Sequence, residues 1–109
     1  MRGQERMLEE VARRFRALGE PQRLRIVQLL EGGPQTVNEI VEDLGANQPN
    51  VSRHLQALFE AGIVSRRREG NFIYYSIADP VVHQLCELVC ESARKRVEED
   101  WKAVLAGTR

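Results

Sequence analysis

The 109-residue sequence lacks the features that mark several large classes of protein. It has no apolar run near the roughly 18 residues that a membrane-spanning helix needs. Residues 1–15 carry charges throughout, so they do not resemble a secretory signal peptide. The two cysteines are too few for a disulfide scaffold. We therefore expect a single cytoplasmic domain over residues 1–109, with one modest core and no membrane partner.

An excess of charge of one sign is also missing, because 16 Lys and Arg residues balance 16 Asp and Glu residues. This balance argues against a protein that coats nucleic acid non-specifically. Charge is nevertheless sorted along the chain, since residues 48–76 contain four arginines and two glutamates, whereas residues 36–47 contain only acidic charges. Lysine is scarce (Lys95 and Lys102), and arginine suits bidentate contacts with phosphates and guanine edges, although a GC-rich genome produces the same bias.

Hydrophobic periodicity predicts two helices in the first third of the chain. Apolar residues at helical spacing indicate a helix over about residues 4–18. Glu20 is suited to cap a second helix, in which Pro21 takes the first position. Gly32 and Gly33 end that helix.

A helix-turn-helix is predicted over about residues 36–61. Thr36 and Glu39 form a capping box at the start of its first helix, and Gly45 ends that helix. After a short turn, Asn47 caps the second helix. This order of helix, glycine-containing turn and helix is typical of the motif.

The second helix of this pair has one apolar and one polar face. Val51, Leu55 and Leu58 form the apolar stripe. An exposed helix face is usually polar without any function, but this face carries donors and acceptors that match base edges in the major groove. The candidate DNA-contacting residues here are Gln48, Asn50, Ser52, Arg53, His54 and Gln56.

The pattern changes to period two after Gly62, which predicts a β-hairpin over about residues 63–77. We place its strands at residues 63–68 and 72–77, with a turn at residues 69–71. Such a hairpin beside a helix-turn-helix forms a wing that contacts phosphates or the minor groove. Its candidate DNA-contacting residues are Arg66, Arg67, Arg68 and Asn71.

The last predicted helix, over about residues 79–106, is too long for one small domain to cover. At 1.5 Å per residue it measures roughly 40 Å, against a diameter of ~26 Å for a globule of this length. Its apolar stripe continues to Trp101 and Leu105. We expect the helices at 4–18 and 79–106 to cover each other and a second copy in a two-fold dimer. The alternative is a frayed tail on a monomer.

Three residues of this helix form a candidate sensor for metal or thiol chemistry. His83, Cys86 and Cys90 lie at i, i+3 and i+7, so they share one stripe. Thiolates and imidazole suit thiophilic metals or arsenic(III) as an inducer, and thiol oxidation is a further candidate signal. The simpler alternative is packing, because a free cysteine behaves as a small buried hydrophobe.

The segment QPNVSRHLQALFEAGIV followed by RREGNFIYYSI resembles the ArsR/SmtB family of bacterial winged-helix repressors. The resemblance covers about residues 10–100. It implies a mainly α fold with a small β-hairpin, in the order α-α-α-α-β-β-α, and a homodimer that an inducer releases from double-stranded operator DNA. It also implies that bases are contacted by Gln48, Asn50, Ser52, Arg53 and His54.

The sequence departs from the sensor sites that this resemblance implies. Arsenite sensors of the family often carry Cys-x-Cys in the helix before the base-contacting one, and residues 37–44 contain no cysteine. Zinc-type members begin the last helix with Asp-x-His. Here Asp79 is present, but Val81 takes the position of the histidine. Neither site is complete in this chain.

Two other classes of function compete with a DNA-binding regulator. A winged-helix module that binds protein would expose Leu, Tyr or Trp where this chain has arginine. A thiol enzyme would need an activated cysteine, but Cys86 and Cys90 lie mid-helix on an apolar face. We also find no glycine-rich phosphate loop, so we expect a transcriptional regulator and not an enzyme.

Overall fold

The computed structural model describes residues 2–107 and contains, within them, five helices and three short strands. The helix-turn-helix and the hairpin lie in the middle of the chain, between the two long terminal helices. In chain order the elements are α1 (Gly3–Leu18), α2 (Pro21–Leu30), β1 (Gln35–Thr36), α3 (Val37–Leu44), α4 (Gln48–Glu60), β2 (Val64–Glu69), β3 (Phe72–Ile77) and α5 (Pro80–Leu105).

The predicted helix caps are confirmed. The side chains of Glu20, Thr36 and Asn47 each accept a hydrogen bond from the backbone N–H three residues later, at 3.1, 3.2 and 2.9 Å. Glu39 completes the capping box of α3 by accepting a bond from the N–H of Thr36. Gly45 ends α3 with φ at +65°, a conformation that L residues with a Cβ rarely adopt. These local signals fix the turn between α3 and α4.

The core is built around the apolar face of α4. Val51, Leu55 and Leu58 are almost fully buried, as their spacing predicted. They belong to one buried cluster with Ile26 of α2 and Ile40 of α3. Burial on this side leaves the opposite side of α4 facing outward.

The sheet differs from the predicted hairpin in two ways. A third strand, β1, pairs antiparallel with β3, so the strand order is β1-β3-β2. Two residues are too few to show a period-two pattern, and the free edge of β3 supplies the pairing. The hairpin strands run from Val64 to Glu69 and from Phe72 to Ile77, so the turn comprises Gly70 and Asn71 rather than residues 69–71. A two-residue turn with Gly70 at a φ of +61° suits the twist of antiparallel strands.

The second half of α5 projects beyond the body of the domain. Val82 and Cys86 are buried, whereas Val89, Val97 and Trp101 are each more than half exposed. Helix α1 has its own exposed apolar side chains, among them Met7 and Phe15. Within residues 2–107, every helix is too short or too polar to span a bilayer. A single chain therefore leaves a long apolar surface uncovered on its terminal helices.

We expect Asn47→Ala to lower the free energy of unfolding by about 1 kcal/mol, because the first turn of α4 loses its side-chain acceptor. Urea unfolding at one fixed protein concentration measures the change, since association also affects apparent stability. The matched control is Asn47→Asp, which keeps an oxygen acceptor at the same place. Equal stability of the alanine and aspartate variants would contradict an energetic role for this cap.

Candidate nucleic-acid interface

The outward side of α4 carries a row of exposed polar side chains. Gln48, Asn50, Ser52 and Arg53 are exposed, and we call them the polar face of α4. Their side chains make no hydrogen bond or ion pair within the described part of the chain. Donors and acceptors of amide, hydroxyl and guanidinium groups are thus available to an external partner.

His54 lies on the other side of α4 and does not belong to the polar face. It is only 8% exposed, and its Nδ1 accepts a hydrogen bond from Nε of Arg23 at 3.2 Å. Its position explains this, because residue 54 lies three residues after Val51 and four before Leu58, on the side that packs against the body. The expected base contact from His54 is therefore not supported by its place in the structure.

Gln56 and Arg66 join α4 to the wing, which we define as β2, β3 and their turn. Nη1 of Arg66 donates to Oε1 of Gln56 at 3.4 Å, and Nε2 of Gln56 donates to Glu60 at 3.0 Å. The Arg66 guanidinium also lies over the ring of Phe59, with Cζ 4.1 Å from the ring centroid. This cation–π contact holds the base of the wing against the last turns of α4.

The three consecutive arginines of β2 do not share one face of the wing, because side chains alternate along a strand. Arg66 and Arg68 lie on the face of the buried Val64, toward α4. Arg67 lies on the other face, where Nη2 pairs with Glu69 at 2.8 Å and the guanidinium lies 5.6 Å from the Tyr74 ring.

The tip of the wing has one ordered arginine and a polar turn. Nε of Arg68 donates to the carbonyl oxygen of Gly70 at 3.2 Å, which directs this arginine along the turn. Asn71 is exposed beside it. Arg68 has no acidic partner within residues 2–107, so its charge is available at the end of the wing.

The predicted sensor residues are not gathered into one site in a single chain. His83 turns toward α2, with Nδ1 2.6 Å from Oε1 of Glu31 and Nε2 3.4 Å from Glu87. Cys86 is buried and Cys90 is exposed. The structure, as far as it describes the chain, shows no group of three His, Cys, Asp or Glu side chains placed to hold a metal ion.

The chemistry of Cys86 follows from its burial. Desolvation raises the pKa of the Cys86 thiol, and the nearby Cys90 and Glu31 raise it further. The thiolate fraction of Cys86 at neutral pH is therefore smaller than that of an ordinary cysteine. Both cysteines lie on the wall of an apolar groove of about 340 Å³ between α1 and α5, lined also by Phe15, Leu18, Leu24, Leu85, Val89 and Ala93.

Comparison with known proteins relates the helix-turn-helix to a family. A model of "Bacterial regulatory protein, arsR family" matches residues 20–66. The transcriptional repressor SdpR of Bacillus subtilis is 40% identical over 68 residues, which are 62% of this chain and 76% of SdpR. This chain belongs to the ArsR family. The predicted family and its winged helix-turn-helix fold are confirmed, and the chain is a DNA-binding transcriptional regulator of the ArsR family.

Two further matches show how far the likeness to ArsR proteins extends. A probable mercury resistance operon repressor of Streptomyces lividans is 45% identical over 80 residues, which are 73% of this chain and 64% of that protein's length. A homodimeric winged helix-turn-helix DNA-binding domain of Mycobacterium bovis, solved by NMR, superposes with a TM-score of 0.79 at 38% identity. That match covers 87% of this chain and 88% of the solved one.

Sequence patterns did not reveal several of the contacts that surround α4. Arg23 and His54 are 31 residues apart, and Arg13 and the Glu60 carbonyl are 47 apart. Contacts of this range leave no periodic signal. The stacking of Arg66 on Phe59 likewise depends on where the wing folds back.

Proposed function

We propose that two copies of this ArsR-family chain bind double-stranded operator DNA and repress transcription. The polar face of α4 is the observation that carries the proposal. Its side chains have no hydrogen-bond or ion-pair partner within residues 2–107, while the buried apolar side of the same helix fixes which way they point. A major groove accommodates one α-helix and presents matching donors and acceptors.

The polar face offers a specific set of base contacts. Arg53 is suited to pair with O6 and N7 of guanine, and the amides of Gln48 and Asn50 are suited to pair with adenine. Ser52 can bond to either base. Gln56 is held by Arg66 and Glu60 in the free protein, so any base contact from it requires those bonds to open.

The wing adds phosphate contacts beside the base contacts. Arg68 and Asn71 at its tip are the residues we assign to the sugar-phosphate backbone. Arg66 holds the wing to α4, and Arg67 is partly neutralised by Glu69. Contacts to phosphates position a protein on DNA and make its affinity depend on salt.

A second copy covers the groove between α1 and α5 in this proposal. The exposed apolar side chains of both helices form a surface that a monomer would leave in water. The related Mycobacterium bovis domain is homodimeric. A two-fold pair places its two α4 helices against half-sites about one helical turn, 34–36 Å, apart.

A gel shift on DNA from upstream of the gene tests this proposal. We expect binding that competitor DNA of unrelated sequence does not remove, with an affinity that falls steeply as salt rises. Absence of any DNA binding by the dimer would support the alternative, a winged-helix module that binds protein.

For release from DNA, we assign the inducer site to Cys86 and Cys90, with a thiophilic metal, arsenic(III) or an oxidant as the signal. Both thiols line the groove that a second copy covers, so a dimer brings four thiols toward one interface. The Streptomyces lividans relative is a probable mercury resistance operon repressor, and mercury is strongly thiophilic. His83 contacts Glu31, so it joins the inducer site only if that contact opens.

We expect the double variant Cys86→Ser/Cys90→Ser to stay on DNA under metals, arsenite and oxidants that release the unmodified protein. Release by metals should also strengthen with rising pH, because the raised pKa of Cys86 means that binding must displace a proton. Fluorescence anisotropy of labelled operator DNA measures both effects. The control is Gln84→Ala, at an exposed residue on the side of α5 away from the groove. Unchanged release in the double variant would reject the thiol site and leave the DNA-binding proposal intact.

A further inference from the structure

His54 is held in place from two sides within the protein. Nε of Arg23 donates to its Nδ1, so Nδ1 is an acceptor and the proton of the neutral imidazole belongs on Nε2. That Nε2 lies 3.8 Å from Oε2 of Glu20. The same carboxylate accepts a bond from the N–H of Arg23 and caps α2. The imidazole is therefore oriented by α2.

Arg23 also reaches α1. Its Nη1 donates to the carbonyl oxygen of Ala17, in the last turn of α1, at 3.4 Å. One guanidinium thus connects the end of α1, the start of α2 and the middle of α4. These bonds are partly buried, which makes them stronger than exposed ones.

An arginine of α1 holds the C-terminal end of α4. Nη2 of Arg13 donates to the carbonyl oxygen of Glu60, the last residue of α4, at 2.7 Å. The last carbonyls of a helix lack partners inside it and carry partial negative charge, so a guanidinium there is favourable. Helix α1 is therefore connected to the middle of α4 through Arg23 of α2, and it contacts the end of α4 directly through Arg13.

We infer that α1 and α2 together set the angle of α4 on DNA, through Arg13 of α1 and Arg23 of α2, and that His54 is a positioning residue for the polar face. The inference rests on the proposed function, because it concerns how α4 meets bases. The buried stripe decides which side of α4 faces outward, but apolar contacts are not directional and leave room for a small rotation of α4 about its axis. Hydrogen bonds with fixed geometry oppose that rotation. Ser52 and Arg53, next to His54 in sequence, move with any such rotation.

The same arrangement connects the apolar groove to the polar face. Phe15 and Leu18 of α1 line the groove, and Arg13 and Ala17 of the same helix contact the network that holds α4. A displacement of α1 at the groove therefore changes the support of α4. Helix α1 thus transmits a structural change at the groove to α4.

The experiment compares two substitutions of His54. His54→Leu fills the space but removes the acceptor, and we expect about tenfold weaker operator binding. His54→Asn places an oxygen near the position of Nδ1, and we expect it to restore most of the affinity. The loss should be similar for operators carrying each single base-pair change, and the salt slope should stay the same. A direct base contact would instead erase preference at one base pair.

Arg13→Ala provides a second variant that leaves the core untouched, because Arg13 is exposed. Its matched control is Arg16→Ala, which removes the same charge from α1 without a contact to α4. We expect Arg13→Ala to weaken operator binding several-fold more than Arg16→Ala. Equal binding by these two variants, or full operator affinity in His54→Leu, would overturn the inference.

Amide hydrogen exchange of the free protein separates this inference from the proposed function. We expect His54→Leu to speed exchange across α4 while His54→Asn does not, and this readout needs no DNA. Unmodified protein that binds no operator would reject the proposed function. Unchanged exchange in α4 of the leucine variant would reject the positioning role alone.

Discussion

Val89→Glu is expected to lower operator affinity by about 10²–10⁴-fold while each chain keeps its fold. Val89 lies on the groove between α1 and α5 and is more than half exposed in a single chain, so a carboxylate there is solvated in the monomer. When a second copy covers the groove, that carboxylate becomes a buried charge without a partner. The dimer dissociates, and each α4 then binds its half-site without the effective concentration that a linked second copy provides.

Two measurements and a matched control check this expectation. Sedimentation at micromolar concentration should show a dimer for the unmodified protein and a monomer for Val89→Glu, with unchanged helix content by circular dichroism. Gln84→Glu adds the same charge at an exposed residue on the side of α5 away from the groove and should leave the dimer intact. A monomeric variant that still binds the operator with full affinity would contradict the two-copy arrangement.

The parts of the fold that sequence predicts well are those set by neighbours along the chain. The capping residues Glu20, Thr36 and Asn47 and the left-handed Gly45 act over three or four residues, so their types and spacing suffice. The apolar stripe of α4 is equally local. The strand β1 is different, because Gln35 and Thr36 become a strand only through the edge that β3 presents.

The candidate site shows the same division between local and long-range information. The polar face of α4 follows from helical spacing, and so does the alternation that separates Arg67 from its two neighbours. The burial of His54 depends on Arg23, which no pattern around residue 54 indicates. The predicted trio of His83, Cys86 and Cys90 shares a stripe as expected, but Glu31 draws the imidazole toward α2. Spacing along the sequence thus predicts which side of a helix faces outward, but it does not predict side-chain contacts with distant residues.

Arg53→Ala is expected to cost about 1–3 kcal/mol of operator binding, or roughly 5–150-fold, and to relax preference at one base pair of each half-site. Arg53 is exposed on the polar face and has no partner in the described chain, so its guanidinium is free to pair with two acceptors of one guanine. The side chain points outward, and its removal leaves the buried stripe of α4 unchanged. The loss is therefore expected in binding and not in stability.

Two further variants, one at residue 53 and one on the wing, separate base contacts from phosphate contacts. Arg53→Lys keeps the charge but cannot form the bidentate pair, so it should retain the salt slope and still lose the preference. Arg68→Ala should weaken all sequences about equally and reduce the salt slope by about 1, as loss of a phosphate contact does. Binding to operators with each base pair changed in turn, at several salt concentrations, measures both quantities. Full sequence preference in Arg53→Ala would show that the polar face does not select the operator, because this is its strongest candidate for a base contact.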